Sequence, residues 1–280
     1  MQVPGTCVPR TGVPAYRRRA AERHQTARAA YDVEMIVRAA GDVLHLITQP
    51  DHAALAHQIM DRWIADGLPA SPRRASILRA IEEHDHGWLD VDASPIVDPA
   101  TGRIADFISA PLEVRQGIWP RGVTRLAADP WAAALVAQHA IHVYARYAAA
   151  PEWQAFFDRM EALRTDFVSR SGLPFPQLLE DYTFLRIGDL ISLAFCNGWT
   201  DAHEHGEYRI RYEPPAIVVS PDPCGGEWFP IEIASRELPN RRYRDDADAA
   251  AAWRSARIVT IGGVVRGGPP SRSFGEPGPG

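Results

Sequence analysis

The densest polar cluster in the chain is Glu82-Glu83-His84-Asp85-His86-Gly87-Trp88, where a helical pattern comes to its end. Glycine at position 87 suits the left-handed conformation that closes a helix, so His84 and Asp85 would project beyond that terminus. Imidazole and carboxylate side by side suit a borderline or hard divalent ion: zinc, iron, manganese or magnesium. A held ion takes several protein ligands, so partners are sought elsewhere in the chain. His52 stands early in ITQPDHAALAHQ. Asp189 lies inside FLRIGDLISLAFC, an apolar helical pattern in which an unpaired carboxylate would be costly and a ligand role would offset that cost. His139 and His142, one helical turn apart in LVAQHAIHVYARY, share a face and could serve a second ion or a substrate phosphate.

Each candidate has a plainer alternative. The His84-Asp85 pair could simply decorate a helix C-terminus, where histidine interacts favourably with the dipole. Asp189 could pair with Arg186 one turn earlier. His52 could cap its own helix and His57 replace it, but the two cannot share one face. A histidine on an apolar helix such as His139 or His142 is often a hydrogen-bonded core residue. Asp90, Asp92 and Asp106 are expected to be solvated loop charges, Trp88 and Trp131 packing groups, and Cys196 a small buried apolar residue.

The elements that must position these side chains are mostly helices. Apolar residues recur at helical spacing over 51–66, 71–86, 129–149, 152–170 and 175–198. Asp51, Ser71 with Pro72, and Asp129 with Pro130 give start signals for the first three. MIVR, at residues 35–38, is a strand-like start to a further helix. From about residue 205 the pattern changes to alternation and β-branched runs, YRIRY, AIVVS, FPIEI and RIVTI, divided by Pro, Gly and Asn. The expected fold is therefore mainly α, a helical bundle over 35–204 with a small C-terminal β-rich extension over 205–261. Residues 1–34, rich in Arg, Ala and Pro, are expected to be a disordered leader or an over-long start. Residues 262–280 are expected to be a disordered Gly/Pro-rich tail.

A chain of 280 residues, 46% hydrophobic and 23% charged, can bury a full core, which excludes disorder throughout. A net charge of −5 gives no electrostatic reason to expect a nucleic-acid or anionic-membrane partner. All 30 of the Lys+Arg residues are arginine, a compositional bias that does not bear on the site. Cys7, Cys196 and Cys224 are scattered, without CxxC spacing, which argues against a disulfide framework and for a reducing cytoplasm. No apolar run reaches membrane-spanning length.

The order of an early His, a His-Asp doublet followed one residue later by Gly, and a late Asp on a helix resembles the H…HD…D signature of the HD-domain metal-dependent phosphohydrolases, whose fold is a helical bundle. The strings MIVR, ITQPDHAALA, EHDHGWLDVD and LRIGDLISLAFC also resemble an uncharacterised bacterial domain-of-unknown-function family over most of residues 35–260. The resemblance implies His52, His84, Asp85 and Asp189 as ligands of one or two divalent ions (Mn, Fe, Zn or Mg). His139 then matches the extra histidine of two-metal members. It implies hydrolysis of a nucleotide or other small phosphoester by metal-activated water, with His139 assisting. Arg186, one turn from Asp189, is the candidate to stabilise charge on the phosphoryl oxygens. The partner is then a small phosphorylated molecule, with self-association to a homodimer left open. Trp88 stands where the signalling branch of that superfamily often has lysine, and no Glu-Asp pair follows the doublet. The alternatives are a non-catalytic metal- or ligand-binding protein and an HD-type iron oxygenase.

Overall fold

The computed structural model describes residues 35–269 apart from 90, 93 and 106–111, all within one compact unit, Asp32–Gly280. The expected leader over 1–34 and the end of the expected tail lie outside the described residues, as do Asp90 and Asp106. In chain order the elements are β1 (Ile36–Ala40), β2 (Val43–Ile47), α1 (Gln49–Met60), α2 (Arg74–Glu83), α3 (Leu112–Arg125), α4 (Pro130–Val143), α5 (Gln154–Ser171), α6 (Phe175–Asn197), β3 (His203–His205), β4 (Tyr208–Glu213), β5 (Ala216–Ser220), β6 (Phe229–Pro239), α7 (Asp246–Ser255) and β7 (Arg257–Gly267).

The mainly-α expectation is corrected: the molecule is α/β. All seven strands form one curled, half-barrel sheet in the order β1-β2-β6-β7-β5-β4-β3, antiparallel throughout except where β5 runs parallel to β7. The β-rich part is therefore no small extension of an all-α protein. β2 pairs with β6 from Val43↔Pro239 to Leu46↔Arg236, so residues before the first helix complete a sheet whose other strands come from the far end of the chain. Ile36–Ala40 and Val43–Ile47 are joined by the two-residue turn Gly41-Asp42, with Gly41 at φ +61°, a conformation that costs glycine little. MIVRAAGDVLHLI is thus a hairpin, not a strand followed by a helix. The runs YRIRY, AIVVS, FPIEI and RIVTI fall in β4, β5, β6 and β7 as their alternation implies.

The five helical patterns correspond to α1, α2, α4, α5 and α6. Asp129 caps α4 by accepting from the Ala132 amide. The cap of α1 is Thr48, not Asp51, with Pro50 in the first turn. Two helices carried no clear periodicity: α3, interrupted by Pro120, and the short α7. α6 is buried on nearly every side between Leu185 and Cys196, as expected of a helix that is apolar all round. Its N-terminal half lies among α1, α2 and α4, and its C-terminal end packs on β1, β4 and β5. On the other side of the sheet α7 covers a second apolar cluster in which Ala249 and Trp253 meet Leu44, Leu46 and Leu238.

The expected tail starts later than Gly262, because Gly262–Gly267 are the second half of β7. Gly263 permits a close approach: a Cβ there would lie 2.4 Å from the Phe195 ring at the end of α6 and 2.7 Å from the Pro215 carbonyl, whereas one at Gly262 would meet nothing within 4 Å. Gly263→Ala is expected to destabilise the protein by about 1–3 kcal/mol through overpacking. Gly262→Ala should stay within about 0.5 kcal/mol of the parent, because its added methyl meets open space. Equilibrium urea unfolding of both variants checks the contrast, and equal losses would contradict it.

Candidate metal centre

Four helical elements bring five side chains to one buried point. His52 lies in the second turn of α1, His84 forms the last cap of α2 with Asp85 following it, His139 lies in α4, and Asp189 occupies the middle of α6. All five are more than nine-tenths buried. His52 Nε2 stands 2.9 Å from Asp85 Oδ2 and 3.7 Å from Asp189 Oδ1. His84 Nε2 stands 3.3 Å from Asp85 Oδ2 and 3.6 Å from Asp189 Oδ1, and completes a hydrogen bond to neither. His139 Nε2 is 3.9 Å from the other oxygen of Asp189. The His84 ring sits edge-on between those of His52 and His139, 5.1 Å from each.

The outer nitrogens fix which ring atoms face inward. His84 Nδ1 is 2.7 Å from the Ile81 carbonyl, which can only accept, so Nδ1 carries the proton. The Ser192 hydroxyl gives its proton to the Asp189 carbonyl at 2.9 Å, so it accepts from His52 Nδ1 at 2.7 Å. With Nδ1 committed outward in both rings, the two Nε2 atoms face the carboxylate oxygens, that of His52 within hydrogen-bond distance of Asp85. Two ionised carboxylates converging on one buried point repel one another unless a positive charge, a proton on an imidazole or a metal ion, lies among them.

Titration follows from this crowding. Burial works against the charged form of His84, but Asp85 and Asp189 outweigh it and hold the imidazole well above its ordinary pKa. Burial likewise opposes ionisation of Asp85 and Asp189, and the surrounding imidazoles overcome it and hold both below the usual carboxylate range. His139 goes the other way: burial pushes it down to about 4, against the pull of Asp189, so it is neutral at physiological pH.

Gly87 does not close α2 in the left-handed conformation. It sits in a short 3-10 turn, His86–Trp88, where a Cβ would strike the Ile118 carbonyl of α3, so glycine is required by the approach of another helix. Trp88 and Trp131 are buried, and the Trp131 indole donates to Asp181. His57 and His142 are half-buried and lie outside the converging set, His142 with its ring 5.8 Å from that of Tyr182. Asp189 and Arg186 form no ion pair among the described residues; the half-buried Arg186 guanidinium instead adds to the lowering of His139 and His205.

Residues 35–240 match the family described as protein of unknown function (DUF3891). The chain belongs to that family. Comparison with curated proteins and with solved structures finds no significant match. The matched part of this DUF3891 chain holds all five converging residues and ends before α7 and β7. No helix among the described residues is long and apolar enough to cross a membrane.

Several residues around the centre escaped sequence reasoning. Ser192 and Tyr182 lie one turn after and two turns before Asp189 on α6, a spacing that could have marked them. Tyr182 Oη is 3.1 Å from His139 Nδ1. His205 comes from the edge strand β3 and carried no local signal. Asp92, expected to be solvated, is buried and accepts from the Gln49 amide at 2.7 Å, closing the N-terminus of α1 from the loop after Asp85. Burial raises its pKa to about 8, against the Gln49 bond and with the help of Asp85 and Asp51.

The folded protein therefore holds a proton on Asp92 that the unfolded chain releases near the ordinary carboxylate pKa. Where the folded state binds more protons, stability falls as pH rises, so this residue's contribution is lost between about pH 4 and about pH 8. Asp92→Asn, which still accepts from Gln49, is expected to gain stability relative to the parent across that window. Unfolding both proteins at pH 5 and pH 8.5 in the presence of chelator tests this, and a pH-independent difference would refute the buried-acid assignment.

Proposed function

We propose that this protein is a metal-dependent phosphohydrolase acting on a small phosphoester, with its ion held by His52, His84, Asp85 and Asp189. The observation that carries the reading is the pair of histidines whose Nδ1 atoms are tied to Ile81 and Ser192, leaving both Nε2 atoms facing two buried carboxylates at distances an ion could bridge. Metal-bound histidines commonly donate the other ring N–H to a carbonyl or other acceptor, which fixes the ring and its tautomer.

The residues fit an ion. Bonds of about 2.1 Å at tetrahedral to octahedral angles separate neighbouring donor atoms by roughly 3.0–3.4 Å. The four inward atoms are 2.9 to 3.7 Å apart across their nitrogen-oxygen pairs. His84 Nε2, buried and without a hydrogen-bond partner, has in such an ion the partner the protein does not provide. Two imidazoles and two carboxylates suit Mn, Fe, Zn or Mg in that mixed-donor range.

A divalent ion supplies Lewis-acid polarisation of a phosphoryl oxygen and activates water near neutral pH. The rest falls to the chain itself. Ser192 and the Ile81 carbonyl hold the two imidazoles in the ligating tautomer. The surrounding helices exclude bulk water, which strengthens every charge interaction at the centre. Arg186, one turn before Asp189, is the cation available to a phosphoryl group at this point. The arrangement supports kinship with the HD-domain phosphohydrolases in its ligand order along the chain, although the sheet has no counterpart in a purely helical bundle.

One observation favours a second reading. With His84 protonated the cluster is also a closed ion-pair network, which a non-catalytic protein could use for stability alone. Metal analysis separates the two. Wild-type protein should retain a stoichiometric divalent ion and hydrolyse members of a nucleotide and phosphoester panel, with activity lost on chelation. His84→Ala and Asp189→Ala should weaken ion binding by at least roughly 100-fold. Arg186→Ala should keep the ion and lose turnover. Because the ion displaces the His84 proton, its apparent affinity should climb as pH rises. Protein that binds no divalent ion under any of these conditions would leave the ion-pair network as the better account.

A further inference from the structure

Two groups of side chains could each hold an ion, His52–His84–Asp85 and His84–His139–Asp189, and both use His84. His84 can serve one of them. Its Nδ1 is committed to the Ile81 carbonyl, so Nε2 alone remains, and that atom has one lone pair to give. The spacing decides which group receives it. Asp189 Oδ1 also stands 3.7 Å from His52 Nε2 and 3.6 Å from His84 Nε2, so it can join the first group as a fourth donor. Without His84 the second group is reduced to His139 Nε2 and Asp189 Oδ2, 3.9 Å apart, fewer ligands than a catalytic ion takes from its protein.

What surrounds His139 is suited to something else. Tyr182 Oη meets its Nδ1 at 3.1 Å, and the Trp119 ring lies against it at 5.5 Å, so the imidazole is braced with Nε2 toward the centre. Arg186 comes from the same face of α6 as Tyr182 and Asp189, and no carboxylate among the described residues pairs with it. His205 approaches from β3, close enough to feel both Arg186 and Asp189. A braced imidazole beside a guanidinium that has no ion-pair partner among the described residues is a wall for anionic oxygen, not a ligand set for a second cation.

Resting on the metal reading above, we infer that the centre holds one ion per chain, and that His139, positioned by Tyr182 and flanked by Arg186, contacts the oxyanion of the substrate instead of ligating metal. This departs from the two-metal role that the histidine's place in the sequence implies.

The test uses the full chain, cobalt(II) as the ion and inorganic phosphate as the anion. Wild type is expected to take up one cobalt per chain by elemental analysis after equilibrium dialysis. His139→Ala should bind the same amount and show the same visible ligand-field spectrum before phosphate is added. Phosphate should perturb the wild-type spectrum, and its apparent Kd should rise about tenfold in His139→Ala, the loss of one charge-assisted hydrogen bond. Tyr182→Phe, which keeps the ring, should weaken phosphate in the same direction without altering cobalt uptake. His139→Gln provides the same comparison if the alanine variant does not fold. A second cobalt that vanishes in the His139 variant, a changed phosphate-free spectrum, or unaltered phosphate binding would each overturn the inference while leaving the metal reading intact. A wild-type protein that takes up no cobalt would overturn both.

Discussion

Two ionised carboxylates enclosed by helices set the terms for everything near them. Asp85 and Asp189 are held below the ordinary carboxylate range despite burial, so the protein must keep positive charge within reach. His84, whose charged form the two carboxylates favour, can meet that need, with His52 and His139 converging on the same point from two other helices, and the surrounding backbone holds the three rings there. The exit from α2 is clamped in three places: the His84 ring is tied back to Ile81, Gly87 is pressed against the Ile118 carbonyl, and Asp92 closes the start of the helix that carries His52. A loop of a few residues is thereby tied to α1, α2 and α3 at once, and Asp85 has little freedom to leave the centre.

The sheet contributes to the site without supplying any of its five converging residues. Asp189 sits on the same helix as Phe195, whose ring is pressed against Gly263 in β7 and lies 5.6 Å from Tyr212 in β4. Arg38 of β1 donates to the Phe195 carbonyl at 3.4 Å and lies over the Tyr212 ring. Strands from both ends of the chain thus grip the C-terminal end of α6 and fix the height at which Asp189 meets the other helices. β3 adds His205 on the side of Arg186. Two open cavities lie elsewhere, one of about 450 Å³ beside Trp228 and Arg266 and one of about 560 Å³ beside Arg73 and Asp181. The second belongs to a satisfied network in which Arg73, Trp131 and Gln177 all donate to Asp181.

How much of this was legible varies with the range of the interaction involved. Local periodicity marked α1, α2, α4, α5 and α6 and the strand runs of β4, β5, β6 and β7, because each repeats over more than one turn or pleat. The fold class was misread for a non-local reason. No pattern in VLHLI announces that its partner is nearly two hundred residues away, and without that pairing the strands look like an appendage to a bundle. Gly41-Asp42 between two apolar runs was a readable hairpin signal that was assigned to a helix start. α3 was obscured by Pro120. For the site, residue chemistry singled out His52, His84, Asp85, His139 and Asp189, and the structure brings those five together. The residues that brace them, Ser192 and Tyr182, were hidden among the apolar residues of α6, and His205 depends on where an edge strand ends up.

The same geometry makes the centre tolerant of two states. When His84 carries a second proton it stands between Asp85 and Asp189 as an imidazolium and compensates them in part; when a divalent ion takes that place the proton leaves and the two carboxylates are compensated in full. A structural zinc site folds its domain because little else holds the chain together. Here a seven-stranded sheet and the cluster under α7 form cores that do not pass through the centre. Charge balance at Asp85 and Asp189 is therefore a local demand that a proton meets in part and a divalent ion in full. That separation of fold from charge balance is what allows a buried acid pair to be kept for chemistry instead of being consumed as structure.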